Sequence, residues 1–184
     1  MVKHLKDALR KEMLAKRNLL SQEDVKRMSD AIMVELFSRS SFKEARTIGL
    51  YLPKGNEVDT TNMIIKALQI GKEVVVPVTD HKISFYHFSS FDDLKKGKYG
   101  IPEPKTKIKP CNEPDLIVVP GIAFGLCMHR LGYGKGYYDR YLLTSTACRI
   151  GICYDFQIVE KLPNHSDDQR MDEIVTEKRV IGRA

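Results

Sequence analysis

The sequence predicts an α/β fold, a three-layer sandwich built around a mostly parallel sheet. Three observations predict it. Short unbroken apolar runs, Val74-Val75-Val76 and Leu116-Ile117-Val118-Val119, suit strands covered on both faces, as parallel strands are. Segments with helical spacing of apolar residues alternate with those runs, the pattern of strands joined by crossover helices. No internal repeat, low-complexity tract or linker interrupts the 184 residues, so a single domain spanning 1–184 is expected, large enough for a continuous core.

Taken in order, residues 3–19 read as an amphipathic helix, with Leu5, Leu9 and Met13 four apart on one face. A second helix starts after Ser21, where Ser21 and Asp24 resemble a capping box, and carries Val25, Met28, Ile32 and Leu36. Thr47 to Leu52 is rich in β-formers and stops at Pro53, so a strand is expected there, followed by the turn Lys54-Gly55-Asn56. Thr60 or Thr61 then caps a helix bearing Met63, Ile64, Ala67 and Leu68, closed by Gly71. Val74 to Val78 reads as a buried strand, and the alternation in Ile83 to Phe88 suggests a shorter one at an edge. Leu94 to Pro114 has glycine and proline punctuation without periodicity, which predicts a long structured loop. Leu116 to Val119, a helix from about Tyr137 to Leu143, and strands at Arg149 to Cys153 and Glu173 to Thr176 complete the reading.

Composition narrows the function classes. The 42% hydrophobic and 29% charged fractions are those of a soluble globular protein, and no apolar run approaches the roughly 18 residues needed to span a bilayer. The segment from Lys3 onward is charged and lacks a signal-peptide apolar block, so a cytoplasmic location and no membrane partner are expected. Cys111, Cys127, Cys148 and Cys153 form no C-x-x-C pair, which argues against zinc and against a disulfide scaffold. The net charge of +6 favours an anionic partner. The basic residues are scattered and no aromatic-interleaved stripe appears, so nucleic acid is not expected.

The stretch Arg130-Leu131-Gly132-Tyr133-Gly134-Lys135-Gly136-Tyr137-Tyr138-Asp139 concentrates the chemistry. Glycines allow backbone N–H groups to approach an anion closely, Arg130 and Lys135 bring charge suited to phosphate, and Asp139 could hold a divalent metal against it. The run is neither G-x-G-x-x-G nor G-x-x-x-x-G-K-[ST], so the two commonest phosphate fingerprints do not explain it. Each residue also has a plainer alternative. Asp139 could pair with a charge on its own helix, and Asp172 is only a possible second metal ligand. Tyr137 and Tyr138 could be core aromatics, and consecutive helical side chains point about 100° apart, so at most one faces a ligand fully. Lys6 and Arg10 form a cationic pair on one helix side or a solvated face. Glu57 and Asp59 could bind an amide-bearing ring or cap the next helix. The five histidines form no paired motif.

Together these segments resemble the 5-formyltetrahydrofolate cyclo-ligase family, also called 5,10-methenyltetrahydrofolate synthetases. The resemblance runs nearly end to end. It covers Lys6-x-x-Leu9-Arg10, Tyr51-Leu52-Pro53 leading to Glu57-Val58-Asp59-Thr60, Tyr99-Gly100-Ile101-Pro102-Glu103-Pro104, and Asp115 to Phe124. The Arg130 to Asp139 loop, Ile150 to Gln157 and Asp172 to Glu177 complete it. Two positions depart from the family pattern. Gly125 stands where aspartate usually follows P-G-x-A-F, and Met128 stands where glycine is usual, which bears on the turn entering the loop.

The resemblance implies the layered fold of the sugar-phosphate isomerase and CoA-transferase group. It also implies conversion of 5-formyltetrahydrofolate to 5,10-methenyltetrahydrofolate with ATP and magnesium, through a phosphorylated formyl group, releasing ADP and phosphate. Carried over by position, Lys6, Asp7, Ala8, Leu9 and Arg10 would form one nucleotide segment, and Arg130, Leu131, Gly132, Tyr133, Gly134, Lys135, Gly136, Tyr137 and Tyr138 the other. Lys135, Arg130 and Tyr138 would act in catalysis, with Lys135 on the γ-phosphate. Lys54, Glu57, Asp59, Tyr137 and Tyr138 would meet the folate, and Asp139 and Asp172 would bind magnesium. A monomer is expected. The alternative is a non-catalytic nucleotide- or folate-binding regulator on the same fold. Lys135→Ala and Asp139→Ala are each expected to lower turnover while leaving the fold intact.

Overall fold

Residues 2–97, 100–105 and 109–182 are described by a computed structural model. Tyr99, part of one family block, lies outside the described residues. The elements run α1 (Val2–Asn18), α2 (Gln22–Ser38), α3 (Ser40–Glu44), β1 (Thr47–Gly49), α4 (Thr61–Gln69), β2 (Glu73–Thr79) and β3 (Ile83–His87). They continue with β4 (Leu94–Lys96), β5 (Pro102–Pro104), β6 (Pro110–Cys111), β7 (Leu116–Val119), β8 (Ala123–Gly125) and β9 (Arg130–Leu131). The last are α5 (Tyr137–Leu142), β10 (Cys148–Ile152), β11 (Ile158–Val159), β12 (Glu173–Val175) and β13 (Val180–Gly182).

The main sheet has the order β13-β12-β10-β7-β1-β2-β3-β6. Its centre, β12-β10-β7-β1-β2, is parallel, and antiparallel strands finish both edges. Strand alternation sorts the side chains onto two faces. Ile48, Val74, Val76, Leu116, Val118, Ile150 and Val175 point to the side covered by α2, α3 and α4. Val75, Ile117, Val119 and Ile174 point the other way, onto Phe124, Met128 and Leu142. On that second face Gly151 leaves the room that Phe124 fills, since a Cβ there would collide with the ring. A separate small sheet, β11-β8-β9, sits on this side, and α1 packs on it through Met13 against Ile122, Ala123 and Leu131.

The expected sandwich and parallel core are therefore present, with several local differences. The strand expected to reach Leu52 pairs only through Gly49, with one further bond from the Leu50 N–H to the Val75 carbonyl. Beyond it the chain turns away to build the β1–α4 connection. β3 is not an edge, because β6 pairs outside it. The expected loop from 94 onward contains a β4–β5 hairpin, and β8, β9, β11 and β13 had no counterpart in the sequence reading. Strands of two or three residues are too short to display a period. Ser21 caps α2 as expected, its hydroxyl accepting the Asp24 N–H at 3.1 Å. At α4 the roles differ: the Thr60 hydroxyl donates to the Tyr51 carbonyl, and Asp59 accepts the Thr61 N–H at 2.9 Å.

In α1 the expected apolar stripe is only partly buried. Leu5 is 53% exposed, whereas Lys6, Met13 and Arg17 are buried. The face turned inward carries Lys6 and Arg17 beside Met13 and the half-buried Leu9, so apolar spacing located only part of it.

Both departures from the family pattern fall in the β8–β9 hairpin. Met128 has φ +69°, the one non-glycine residue with positive φ among the described residues, and its N–H donates to the Gly125 carbonyl at 2.9 Å. The turn that glycine would adopt freely is kept, with the thioether buried in the second core. At Gly125 a Cβ would come within 2.7 Å of Leu162 Cβ and 2.8 Å of Cys127 Sγ, so a side chain has no space there. Left-handed backbone costs an ordinary residue roughly 1 kcal/mol that glycine does not incur. Met128→Ala should therefore lose about 2–3 kcal/mol of unfolding free energy through lost packing. Met128→Gly should lose less, by about 1 kcal/mol. Urea denaturation of both variants checks this inverted order, and an alanine variant more stable than the glycine variant would refute it.

Candidate active site

The site is built where α1 lies on the loop that follows β9. Lys6, Arg10, Met13 and Arg17 recur at helical spacing and form one stripe of α1. Lys6 Nζ donates to Asp168 Oδ2 at 2.6 Å. Arg10 Nε donates to the Gly132 carbonyl at 2.8 Å, and its guanidinium also pairs with Asp7. Arg17 Nη2 donates to the Tyr133 hydroxyl at 2.7 Å. The loop can accept this helix because of its glycines. A Cβ on Gly134 would come within 3.3 Å of Arg10 Nη2, and Gly134 and Gly136 have φ of +88° and +64°. Of the remaining residues in the first nucleotide segment, Ala8 is exposed and Leu9 packs partly against the Met13 cluster.

Arg130 anchors the other side of the loop. It is buried, its Nη2 lies 3.1 Å from Asp139 Oδ2, and its guanidinium sits 5.2 Å from the centre of the Tyr138 ring. Burial pulls its pKa below the usual arginine value, against the opposing pull of Asp139. Burial also pushes the Tyr138 phenol well above its ordinary range, so it stays protonated. The adjacent tyrosines diverge, as helical geometry requires. The Tyr137 hydroxyl donates to the Asp80 carbonyl, and its ring lies under Arg140. Leu131 is core. Lys135 is exposed at the tip of the loop, and its ammonium makes no ion pair among the described residues.

Beside His129 lies a cavity of about 420 Å³, lined also by Arg149, His165, Asp168, Gln169 and Arg170. Nδ1 of His129, and Nε of the neighbouring Arg130, are buried without hydrogen-bond partners. Burial and the Arg170 charge hold His129 below its usual pKa, favouring the neutral ring. Burial alone would raise the Asp168 carboxyl, but its bonds from Lys6 and the His165 N–H outweigh that and lower it.

Asp139 and Asp172 are not in direct contact. The Gln169 N–H donates to Asp139 Oδ1 at 3.4 Å, Arg149 N–H donates to Asp172 Oδ2 at 2.9 Å, and Arg149 bonds Gln169 between them. No three His, Cys, Asp or Glu residues converge as a metal cage among the described residues. Magnesium is usually held by one or two carboxylates together with substrate phosphates. This donor set suits an ion that arrives with a nucleotide.

The second half of the site is the β1–α4 connection. Glu57 is buried, with Oε1 accepting from the Tyr133 hydroxyl at 2.8 Å and Oε2 accepting from the Lys54 N–H at 3.0 Å. Arg17 Nη2 stands 3.7 Å from Glu57 Oε1. Burial, then the Glu57 charge, raises the Tyr133 phenol. The Lys54 side chain is exposed, and the Asp59 carboxylate is engaged as the α4 cap. The structure thus brings Lys6, Arg10, Arg130, Tyr138 and Asp139 around one loop and joins Glu57 to it, while Asp59 and Asp172 serve backbone N–H groups.

Comparison with known proteins gives the same assignment. A model of the 5-formyltetrahydrofolate cyclo-ligase family matches residues 2–177. The chain belongs to the 5-formyltetrahydrofolate cyclo-ligase family. It is accordingly an enzyme of that family. A probable 5-formyltetrahydrofolate cyclo-ligase of Caenorhabditis elegans is 31% identical over 98% of this chain and 96% of its own length. The NMR structure of Aquifex aeolicus 5,10-methenyltetrahydrofolate synthetase is 40% identical, with a TM-score of 0.86 over 98% of this chain and 95% of that one. The Mycoplasma pneumoniae 5,10-methenyltetrahydrofolate synthetase is 29% identical, with a TM-score of 0.76 over 94% and 98%.

Sequence reasoning missed Arg17, His129, Arg149, Asp168 and Gln169. Arg17 had a signal, since it continues the stripe begun by Lys6 and Arg10. Arg149 lies on the expected strand β10, where nothing local marks its side chain, and the others sit on short or irregular segments that meet the loop only in the folded chain. Asp139 also has a structural duty that the sequence did not reveal, neutralising the buried Arg130. Removing one member of a fully enclosed ion pair costs about 3–5 kcal/mol. The Asp139 side chain keeps 23% exposure, so Asp139→Ala should cost about 1–3 kcal/mol rather than leave the fold untouched. Asp139→Asn, which can still accept from Arg130, should lose less. Denaturation followed by circular dichroism checks this, and a wild-type midpoint for Asp139→Ala would assign the stabilisation of Arg130 elsewhere.

Proposed function

We propose that this enzyme converts 5-formyltetrahydrofolate and ATP to 5,10-methenyltetrahydrofolate, ADP and phosphate. The observation that carries the reading is the single loop that gathers the cations Arg10, Arg130 and Lys135 and is bonded through Tyr133 to the Glu57 carboxylate. The cations suit a triphosphate and the carboxylate suits the N–H groups of a pterin.

The formyl oxygen would attack the γ-phosphorus and ADP would leave. N10 of the folate would then attack the activated carbon, and phosphate would depart as the ring closes. Such chemistry asks the protein to position two substrates and stabilise charge, without a covalent nucleophile. Lys135, exposed at the loop tip, would meet the γ-phosphate, with the glycine N–H groups around it. Arg130, held by Asp139 over Tyr138, would stabilise charge on the transferred group. Tyr138 remains a neutral donor beside it. Glu57 would orient the pterin, with Lys54 and Tyr137 at the margins of the folate. Asp139 and Asp172 would hold magnesium, which when bound neutralises charge on the phosphate oxygens.

Mixing the protein with magnesium-ATP and 5-formyltetrahydrofolate should give the near-ultraviolet absorbance of the methenyl product. Binding of both substrates without product would favour a regulator on this fold. Lys135→Ala should reduce turnover by about 100-fold or more, the scale of losing one charge-stabilising donor. Its thermal midpoint should not move, because the side chain is exposed and its ammonium makes no ion pair among the described residues. Turnover equal to wild type would remove Lys135 from the reaction.

A further inference from the structure

We propose that Tyr133 is a positioning residue that couples the two substrates, tying the nucleotide loop to the Glu57 carboxylate so that each ligand tightens binding of the other. The inference rests on the reading of Glu57 as the folate carboxylate and of the glycine loop as the nucleotide segment.

Tyr133 stands between Gly132 and Gly134. A Cβ on Gly132 would come within 2.6 Å of Arg130 Nη1, and Gly134 has φ +88°, so neither neighbour readily takes a side chain. This backbone throws the tyrosine across the site. The residue is 53% exposed, yet its hydroxyl is inserted between two buried charges, accepting from Arg17 Nη2 at 2.7 Å and donating to Glu57 Oε1 at 2.8 Å. Arg17 and Glu57 also form an ion pair at 3.7 Å, too long for a hydrogen bond, so the phenol supplies the hydrogen-bonded link between them.

Glu57 is held firmly on its other side. Oε2 accepts the Lys54 N–H, and the Glu57 carbonyl accepts the Tyr154 hydroxyl at 3.1 Å. Only the Oε1 side depends on the glycine loop. A carboxylate offers about four lone-pair sites, so the bonds from Tyr133 and Lys54 leave room for a ligand N–H. The loop end is fixed in turn by Arg10 on the Gly132 carbonyl. Phosphates drawn to Arg10 and Lys135 would order the loop, hence the phenol, hence the orientation of Glu57. Linkage makes the effect reciprocal.

Tyr133→Phe keeps the ring and removes the link. The measurement is the Kd of 5-formyltetrahydrofolate, by calorimetry, without nucleotide and with a saturating non-hydrolysable ATP analogue plus magnesium. In the wild type the nucleotide should tighten folate binding by about fivefold or more, the lower end of ordinary coupling. In Tyr133→Phe that ratio should fall to near one. Loss of packing alone would shift both affinities and leave the ratio in place. Should the phenylalanine variant not fold, Tyr133→Leu supplies the same ratio. A ratio that survives the substitution, or a wild type that binds both ligands independently, overturns the coupling and leaves the functional reading standing. A wild type that neither binds nor converts 5-formyltetrahydrofolate overturns both.

Discussion

Buried charge on the face of α1 is the constraint on which the site depends. Lys6 and Arg17 are buried on a helix that otherwise encloses only Met13 fully. Withdrawing an ion from water costs several kcal/mol unless partners replace the hydration. Those partners come from distant parts of the chain. Asp168 meets Lys6 from 162 residues away, Tyr133 meets Arg17 from 116 away, and the Gly132 carbonyl meets Arg10 from 122 away. The helix therefore docks in one register, the one that satisfies all three. The same docking fixes the glycine loop, because two of the three partners lie on it.

Arg130 extends this logic into the centre of the site. Its side chain is 4% exposed, with Asp139 as its ionic partner and Tyr138 beneath its plane. The guanidinium has one buried nitrogen unpaired, next to a histidine nitrogen in the same condition, so their hydrogen-bonding capacity is not all spent inside the fold. Stabilisation of developing charge works best where donors are in place before the reaction and water is thin. The small β11-β8-β9 sheet carries Arg130 on a two-residue strand and is itself pinned to the main sheet by Phe124 in the space left by Gly151.

Much of the architecture was legible because its signals are local. Fully apolar four- and five-residue runs announced β7 and β2, the Ser21 cap announced α2, and the positive φ of Gly71 ended α4 as its identity suggested. The short strands β8, β9, β11 and β13 were not legible, since two or three residues carry no period and owe their pairing to what they meet. The inward face of α1 was legible only in part for a related reason. Apolar spacing selected Leu5 as well as Leu9 and Met13, but Lys6 and Arg17 are buried by polar contacts more than 100 residues away, which leave no periodic mark.

By itself the sequence determined the class of fold, the phosphate-suited composition of the 130–139 loop and the family to which the residues point. These follow from propensity, periodicity and residue chemistry, which act over a few neighbours. The tertiary structure alone decided which charges are consumed and which are free. It spent Asp139 on Arg130 and Asp59 on the start of α4, left Lys135 exposed, and set Tyr133 between Arg17 and Glu57. It also held Met128 in a left-handed turn usually given to glycine. Those outcomes depend on distances between segments remote in the chain, and only packing sets those distances.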